Sequence, residues 1–378
     1  MLQHIIVAFL AILLCLITDI NDRRKRFLMP LAFILVTFFF AIRYNYGLDY
    51  VAYQTMFEAG DTSTSWRDGQ ERLFYIIMNK FSHFYEFVIF STLLIMVGLY
   101  LWIRKYCNEK YYSLFFLMFM FMKAMSYNMM SAMRSSMAAC VLWASLYFFY
   151  IKKKQWIPYL LLLFIGSGFH LSILAFCILP VVDMIIPKVK GNYLFCFFIG
   201  CFIISFLFGN ERLFSFIVSS NNTLDTYSTY FEHMEENNIS IFGTINNALF
   251  LFPAFYICRA KKQLIKSHKE LFVLCILFLT IYSLNLDVQN RFTSYMGIFF
   301  IIIISVVAGG YKYKDQSGVT REITFTTKAE RWIMLAPLIF KIGFDYYKFY
   351  LLMSSPLYIF LDGNPLIYQT ILDAPHLP

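Results

Sequence analysis

LQHIIVAFLAILLCLITDINDRRKR, residues 2–26, is an apolar run long enough to cross a bilayer, followed at once by a block of cations. An α-helix needs about 20 apolar residues to cross roughly 30 Å of hydrocarbon, and Lys and Arg gather in the short loops on the cytoplasmic side. The run lacks a leading basic region and a small-residue cleavage site, so it reads as a retained helix rather than a signal peptide. The same unit, an apolar run ending at cations, recurs along the chain.

Composition points the same way. The 378 residues are 60% hydrophobic, 20% aromatic and only 15% charged, which is more apolar surface than a soluble globule could bury. The expected fold is an all-α polytopic integral membrane protein, a single transmembrane domain over 1–378 with about twelve crossings and large outer loops. The net charge of +9 does not indicate nucleic acid, because the cations are grouped in loops on one side. Of the eight cysteines, all but Cys107 lie inside apolar runs and none forms a CxxC pair, so they read as small core residues.

Basic clusters within 21–26, 104–110, 152–155, 187–190, 259–270 and 311–331 mark the expected cytoplasmic loops. Threading the chain through them leaves both ends and the segments 43–72, 210–240 and 345–378 on the outer side. Those segments are rich in Tyr, Asn, Asp and Glu. Between Gln155 and Pro187, two short helices are expected to meet at Gly166-Ser167-Gly168-Phe169-His170, where glycines allow a tight outer hairpin. Asn79 and Lys80 interrupt another apolar stretch, so a re-entrant or surface helix over Leu73–Phe84 is expected before a true span from near Phe87.

Against a net acidic outer side, Arg43, Arg72, Arg134 and Arg291 stand at the outer ends of apolar segments. Arginine at membrane depth is costly and faces a cavity or a bound anion, so these four suggest a site for a pyrophosphate-bearing substrate. Arg43-Tyr44-Asn45-Tyr46-Gly47-Leu48-Asp49-Tyr50 joins a cation, a carboxylate and tyrosines. Tyr44, Tyr46 and Tyr50 are candidates to stack on sugar faces; the plain alternative is an interfacial aromatic belt with Arg43 snorkelling to headgroups. Glu71 is expected in the first turn of a helix, where favouring the dipole alone would explain it. Ser131, Ser135 and Ser136 surround Arg134 with small residues that admit a ligand, or Arg134 pairs with an acid such as Asp287. His170 opens a helix as an acid, a base or a phosphate donor, or as an ordinary cap. Arg291 leaves a short outer loop, which holds it firmly. No P-loop, dinucleotide fingerprint, HExxH or GxSxG is present, which removes support for ATP-driven transport, redox chemistry and the common hydrolases.

Together, Arg43 to Tyr50 with Tyr53, Glu71-Arg72 with Asn79, Met133-Arg134-Ser135-Ser136, Phe169-His170-Leu171-Ser172, Asn290-Arg291-Phe292 and Gly363-Asn364-Pro365-Leu366 resemble the EpsG-type group of O-antigen and exopolysaccharide polymerases, the Wzy class. In that pattern glutamine often follows the arginine where this chain has Arg134-Ser135, so a bond from that glutamine does not carry over. The resemblance implies a GT-C-like glycosyltransferase in the bacterial inner membrane. Its donor and acceptor would be undecaprenyl-diphosphate-linked oligosaccharides, its setting the lipid bilayer, and its partners a chain-length regulator and a flippase. Arg134 and Arg291, then Arg43 and Arg72, would meet the charge growing on the departing diphosphate, while Asp49, Glu71 and His170 are candidate bases. No cofactor is expected. Guanidiniums make a metal unnecessary, although a magnesium ion on outer carboxylates stays open. An O-antigen ligase would use the same donor, and a flippase would instead line a mid-membrane cavity with polar residues.

Overall fold

The computed structural model describes residues 2–20, 25–47, 49–60, 71–122, 125–219, 246, 248–284, 289–314, 320–353 and 369–370. The chain forms two compact units, 1–184 with 345–378 and 185–344, a finer division than the single domain expected from sequence.

The first unit is a bundle built from α1 (Leu2–Ile20), α2 (Lys25–Ala41), β1 (Arg43–Tyr44), α3 (Tyr50–Glu58), α4 (Arg72–Met78), α5 (Phe84–Tyr106), α6 (Tyr112–Phe121), α7 (Met125–Ser131), α8 (Met133–Ser145), α9 (Ile151–Lys153), α10 (Trp156–Gly166) and α11 (Leu179–Ile185). Helix α1 packs on α2 and α6, α2 on α5, α5 on α8, and α8 on α10. Large side chains such as Phe9, Ile34, Phe38, Val97 and Phe164 face outward, a surface suited to acyl chains. As expected from Asn79 and Lys80, the short helix α4 ends at Asn79 and is separate from the span α5. The span begins at Phe84 because His83 and Glu86 form a capping box, in which Glu86 accepts from the His83 amide at 3.2 Å and the Ser82 amide at 3.0 Å. At the other end of the bundle, Asp19 closes α1 onto α6. Its carboxylate accepts the amides of Tyr112 and Ser113, each at 3.2 Å, and the Ser113 hydroxyl.

Among the described residues, α1, α5 and Leu171–Lys188 are long and apolar enough to cross a membrane, and α6 with α7 would add a fourth if that pair, bent by 57°, is one span. Phe27–Ala41, Trp156–Gly166, Gly191–Phe206 and Ser294–Gly309 are shorter apolar helices. The chain is therefore a multi-pass, mainly helical membrane protein, but the described helices do not add up to the expected total of about twelve crossings. Helix breaks account for part of the difference: one apolar stretch is divided at Ala132, between α7 and α8.

The second unit contains α12 (Gly191–Ser219), α13 (Leu251–Arg259), α14 (Lys261–Ser283), α15 (Gln289–Gly309), the hairpin β2 (Tyr311–Lys314) with β3 (Thr320–Ile323), and the greater part of α16 (Lys328–Met353). Helix α12 continues past Asn210, where an outer segment was expected to begin, and the basic stretch from Arg259 to Lys269 is mostly helical, with a kink at His268. The fold is all-α as expected, with two short strand pairings added: the hairpin of β2 with β3, and β1 antiparallel with β4 (Gln369–Thr370) of the tail. None of the eight cysteines forms a disulfide.

Asp19→Ala is expected to lower the unfolding free energy by about 1–2 kcal/mol, through loss of the amide acceptors at the start of α6. Thermal unfolding of the detergent-solubilised protein, followed by circular dichroism, measures this.

Candidate functional site

Two close approaches build the site. Gly47 has φ +111°, and a Cβ there would meet Ser131 Cα at 2.9 Å, so only glycine lets the segment after β1 reach the end of α7. The Ser131 hydroxyl then accepts the Asp49 amide at 3.3 Å, just where α3 starts. On the opposite side, the expected hairpin forms at 166–170, and a Cβ on Gly168 would lie 2.8 Å from Leu73 Cβ. The Gly168 carbonyl accepts the Phe74 amide at 3.2 Å, which seats the first turn of α4 on the hairpin.

These contacts bring Glu71 to His170. Glu71 is the N-cap of α4, not part of its first turn, and its backbone is left-handed at φ 66°, ψ 25°. Its side chain makes no capping bond and turns instead to two partners. Oε2 accepts from Arg134 Nη1 at 2.8 Å, while Oε1 is bonded to His170 Nδ1 and to the Leu171 amide at 3.3 Å. The acid that pairs with Arg134 is thus Glu71; Asp287 lies outside the described residues. His170 occupies the N-cap of the 3-10 helix Leu171–Ile178 without capping it, because its ring is committed to Glu71. Arg134 Nε also donates to the Tyr53 hydroxyl at 3.3 Å, and the guanidinium lies 5.6 Å above the Tyr53 ring.

The side chains of Arg134, Glu71 and His170 are 25%, 15% and 14% exposed, enough to meet a ligand from one side. Among the described residues, Arg134 Nη2 and His170 Nε2 form no hydrogen bond and are the atoms left to act outward. Burial by itself would raise the Glu71 carboxyl. The hydrogen bond and charge of His170, the charge of Arg134 and the Leu171 amide outweigh it and hold Glu71 below its ordinary 4.5. Burial pushes the Tyr53 hydroxyl up to about 12 against the lowering pull of Arg134, so it keeps its proton at neutral pH.

Several expectations are corrected. Arg43 is 0% exposed, and its guanidinium donates to the Phe40 carbonyl, the Thr92 hydroxyl and, at 3.1 Å, the Met130 carbonyl. The break at Ala132 deprives the last carbonyls of α7 of helical partners. Arg43 satisfies Met130 and the Ser136 hydroxyl satisfies Met129 at 2.6 Å, so Arg43 braces the break before Arg134 and is not open to a diphosphate. Tyr46 and Tyr50 are likewise enclosed rather than free to stack on sugars. Tyr46 bonds His4 at 3.3 Å and packs edge-on to Tyr127, and Tyr50 packs edge-on to Phe84. Tyr44 is half-buried beside Tyr50. Asp49 and Arg72 are exposed at the starts of α3 and α4. Arg291 lies in the first turn of α15, in the second unit, and its side chain is outside the described residues, as is the tail motif 363–366. Tyr53, named in the resemblance but given no role there, is the addition; that motif and its spacing of four from Asp49 were the available signals.

The family model described as the EpsG family matches residues 26–327, a stretch that contains all of these site residues and stops short of the tail. The chain belongs to the EpsG family. This is a Wzy-like polymerase family, so the protein is a polymerase-type, multi-pass membrane protein. No curated protein and no solved structure matches the chain.

For this EpsG-family protein, Arg43→Ala is expected to cost about 2–4 kcal/mol of stability, because enclosed carbonyls lose their donors; the thermal midpoint reports it. Because the Glu71 carboxyl is lowered by folding, its stabilising contribution is complete above its ordinary value of 4.5 and is lost as pH falls through the lower folded value. Melts of wild type and Glu71→Gln should therefore differ above about pH 4.5 and converge as pH falls below that.

Proposed function

We propose that this protein extends polysaccharide chains by moving a glycan from undecaprenyl diphosphate onto a hydroxyl of a second lipid-linked repeat, on the outer face of the bacterial inner membrane. The observation that carries the reading is one carboxylate, Glu71, orienting a base and a cation together. With Nδ1 turned to Glu71, His170 presents Nε2 to the acceptor hydroxyl and takes its proton. The acceptor oxygen bonds to the anomeric carbon while the bond from that carbon to the phosphate oxygen breaks and its electron pair leaves with the diphosphate. Arg134, held at Nη1 and Nε, offers Nη2 to that growing charge. As His170 becomes cationic, Glu71 stabilises it. This assigns Glu71 the role of orienter rather than base. Asp49, exposed beside Tyr53, is left to contact sugar hydroxyls, and Arg72 is left to add charge at the rim.

Family membership supports the reaction class, and the basic residues at the far end of α5 and in α9, which follow along the chain from helices that start near the site, support an outward-facing site. A flippase and a chain-length regulator are the partners this role requires.

Arg134→Ala should slow chain extension about 30- to 1,000-fold, and His170→Ala about 100- to 10,000-fold, at unchanged protein level. A glycan gel of the variant strains reads this. Single repeats delivered outside support a polymerase, precursor trapped inside supports a flippase, lipid-linked polymer with none transferred supports a ligase, and long chains in both variants refute the site.

A further inference from the structure

A guanidinium held by one nitrogen swings about that contact. Arg134 is held by two: Glu71 fixes Nη1, and Tyr53 fixes Nε, with its ring centroid 5.6 Å from the guanidinium carbon. Both Nη2 protons and the second Nη1 proton stay free for an anion among the described residues. Tyr53 is itself immobile. It is 2% exposed, packs on Phe74 of α4 at 5.3 Å, and its amide bonds the Asp49 carbonyl at 3.0 Å. Its hydroxyl therefore gives Arg134 a fixed reference on α3, a second element besides the one that carries Glu71.

We infer that Tyr53 is a positioning residue for Arg134, its hydroxyl setting the plane in which Nη2 meets the diphosphate of the donor. The inference rests on the reading of Arg134 given above. Tyr53 does not touch substrate; it acts by restricting the guanidinium to one orientation, so its hydroxyl has no effect on binding once Arg134 is gone. A lysine at 134 is a point charge with no planar fork for the hydroxyl to orient, so the hydroxyl's effect on binding is lost there too.

The test uses the full chain in lipid nanodiscs with undecaprenyl diphosphate as the probe, and compares Tyr53→Phe, Arg134→Ala, Arg134→Lys and the two double variants, with Tyr53→Leu as the packing control. Phenylalanine keeps the packing on Phe74 and removes only the acceptor. Tyr53→Phe should weaken binding about five- to tenfold with an unchanged thermal midpoint, and should add nothing in either Arg134 background. Wild-type affinity in Tyr53→Phe overturns the inference while leaving the site reading intact, provided Arg134→Ala loses binding. So does an equal loss in the Arg134→Ala background, or a fall in midpoint as large as that of Tyr53→Leu, since either makes the hydroxyl a structural group. Wild-type binding by Arg134→Ala overturns the site reading and this inference with it.

Discussion

The ion pair between Arg134 and Glu71, extended to His170, is the interaction around which the first unit is arranged. A guanidinium largely removed from water inside an apolar bundle is costly unless a counter-charge lies at hydrogen-bond distance. Glu71 supplies that charge, and because a carboxylate has two oxygens it also holds His170. The pair thereby does more than offset desolvation: it fixes the relative positions of a cation and an imidazole that come from separate helices.

Glu71 reaches both partners only through a left-handed backbone, which for a residue with a Cβ costs roughly 1–2 kcal/mol. Such a conformation persists where surrounding contacts over-determine it. Here the Phe74 amide bonded to Gly168, the close approach of Leu73 to that glycine, and the Leu171 amide on Oε1 together do so. The opposite flank follows a similar pattern. The interruption at Ala132 frees carbonyls that Arg43 and Ser136 satisfy, and the new helix beginning at Met133 points Arg134 toward Glu71. Irregular backbone at both flanks is thus tied to side chains that supply its missing hydrogen bonds.

Charges in the second unit are handled differently. Lys261 donates to the Pro187 carbonyl at 3.0 Å, and Lys341, fully enclosed, lies 5.3 Å from the centroid of the Tyr282 ring and 5.8 Å from that of Phe250. There amine–carbonyl and cation–π contacts meet these lysines and Arg259 pairs with Glu330 at the surface, whereas in the first unit one carboxylate lies between a guanidinium and an imidazole. That difference in chemistry is why the reaction is assigned to the first unit.

By itself, the sequence determined the membrane class, the alternation of apolar runs with basic ends, the glycine hairpin before His170, and Arg134, Glu71 and His170 as candidates. Each of these follows from local composition, which hydrophobic transfer and charge placement make legible. Only the tertiary structure decided which candidates meet. Glu71 lies 63 residues from Arg134 and 99 from His170, and no periodicity links positions so far apart. It also decided that Arg43, Tyr46 and Tyr50 belong to the interior, because a polar or aromatic residue reads the same in sequence whether it faces a ligand or satisfies a neighbouring helix. Burial and partner are properties of packing.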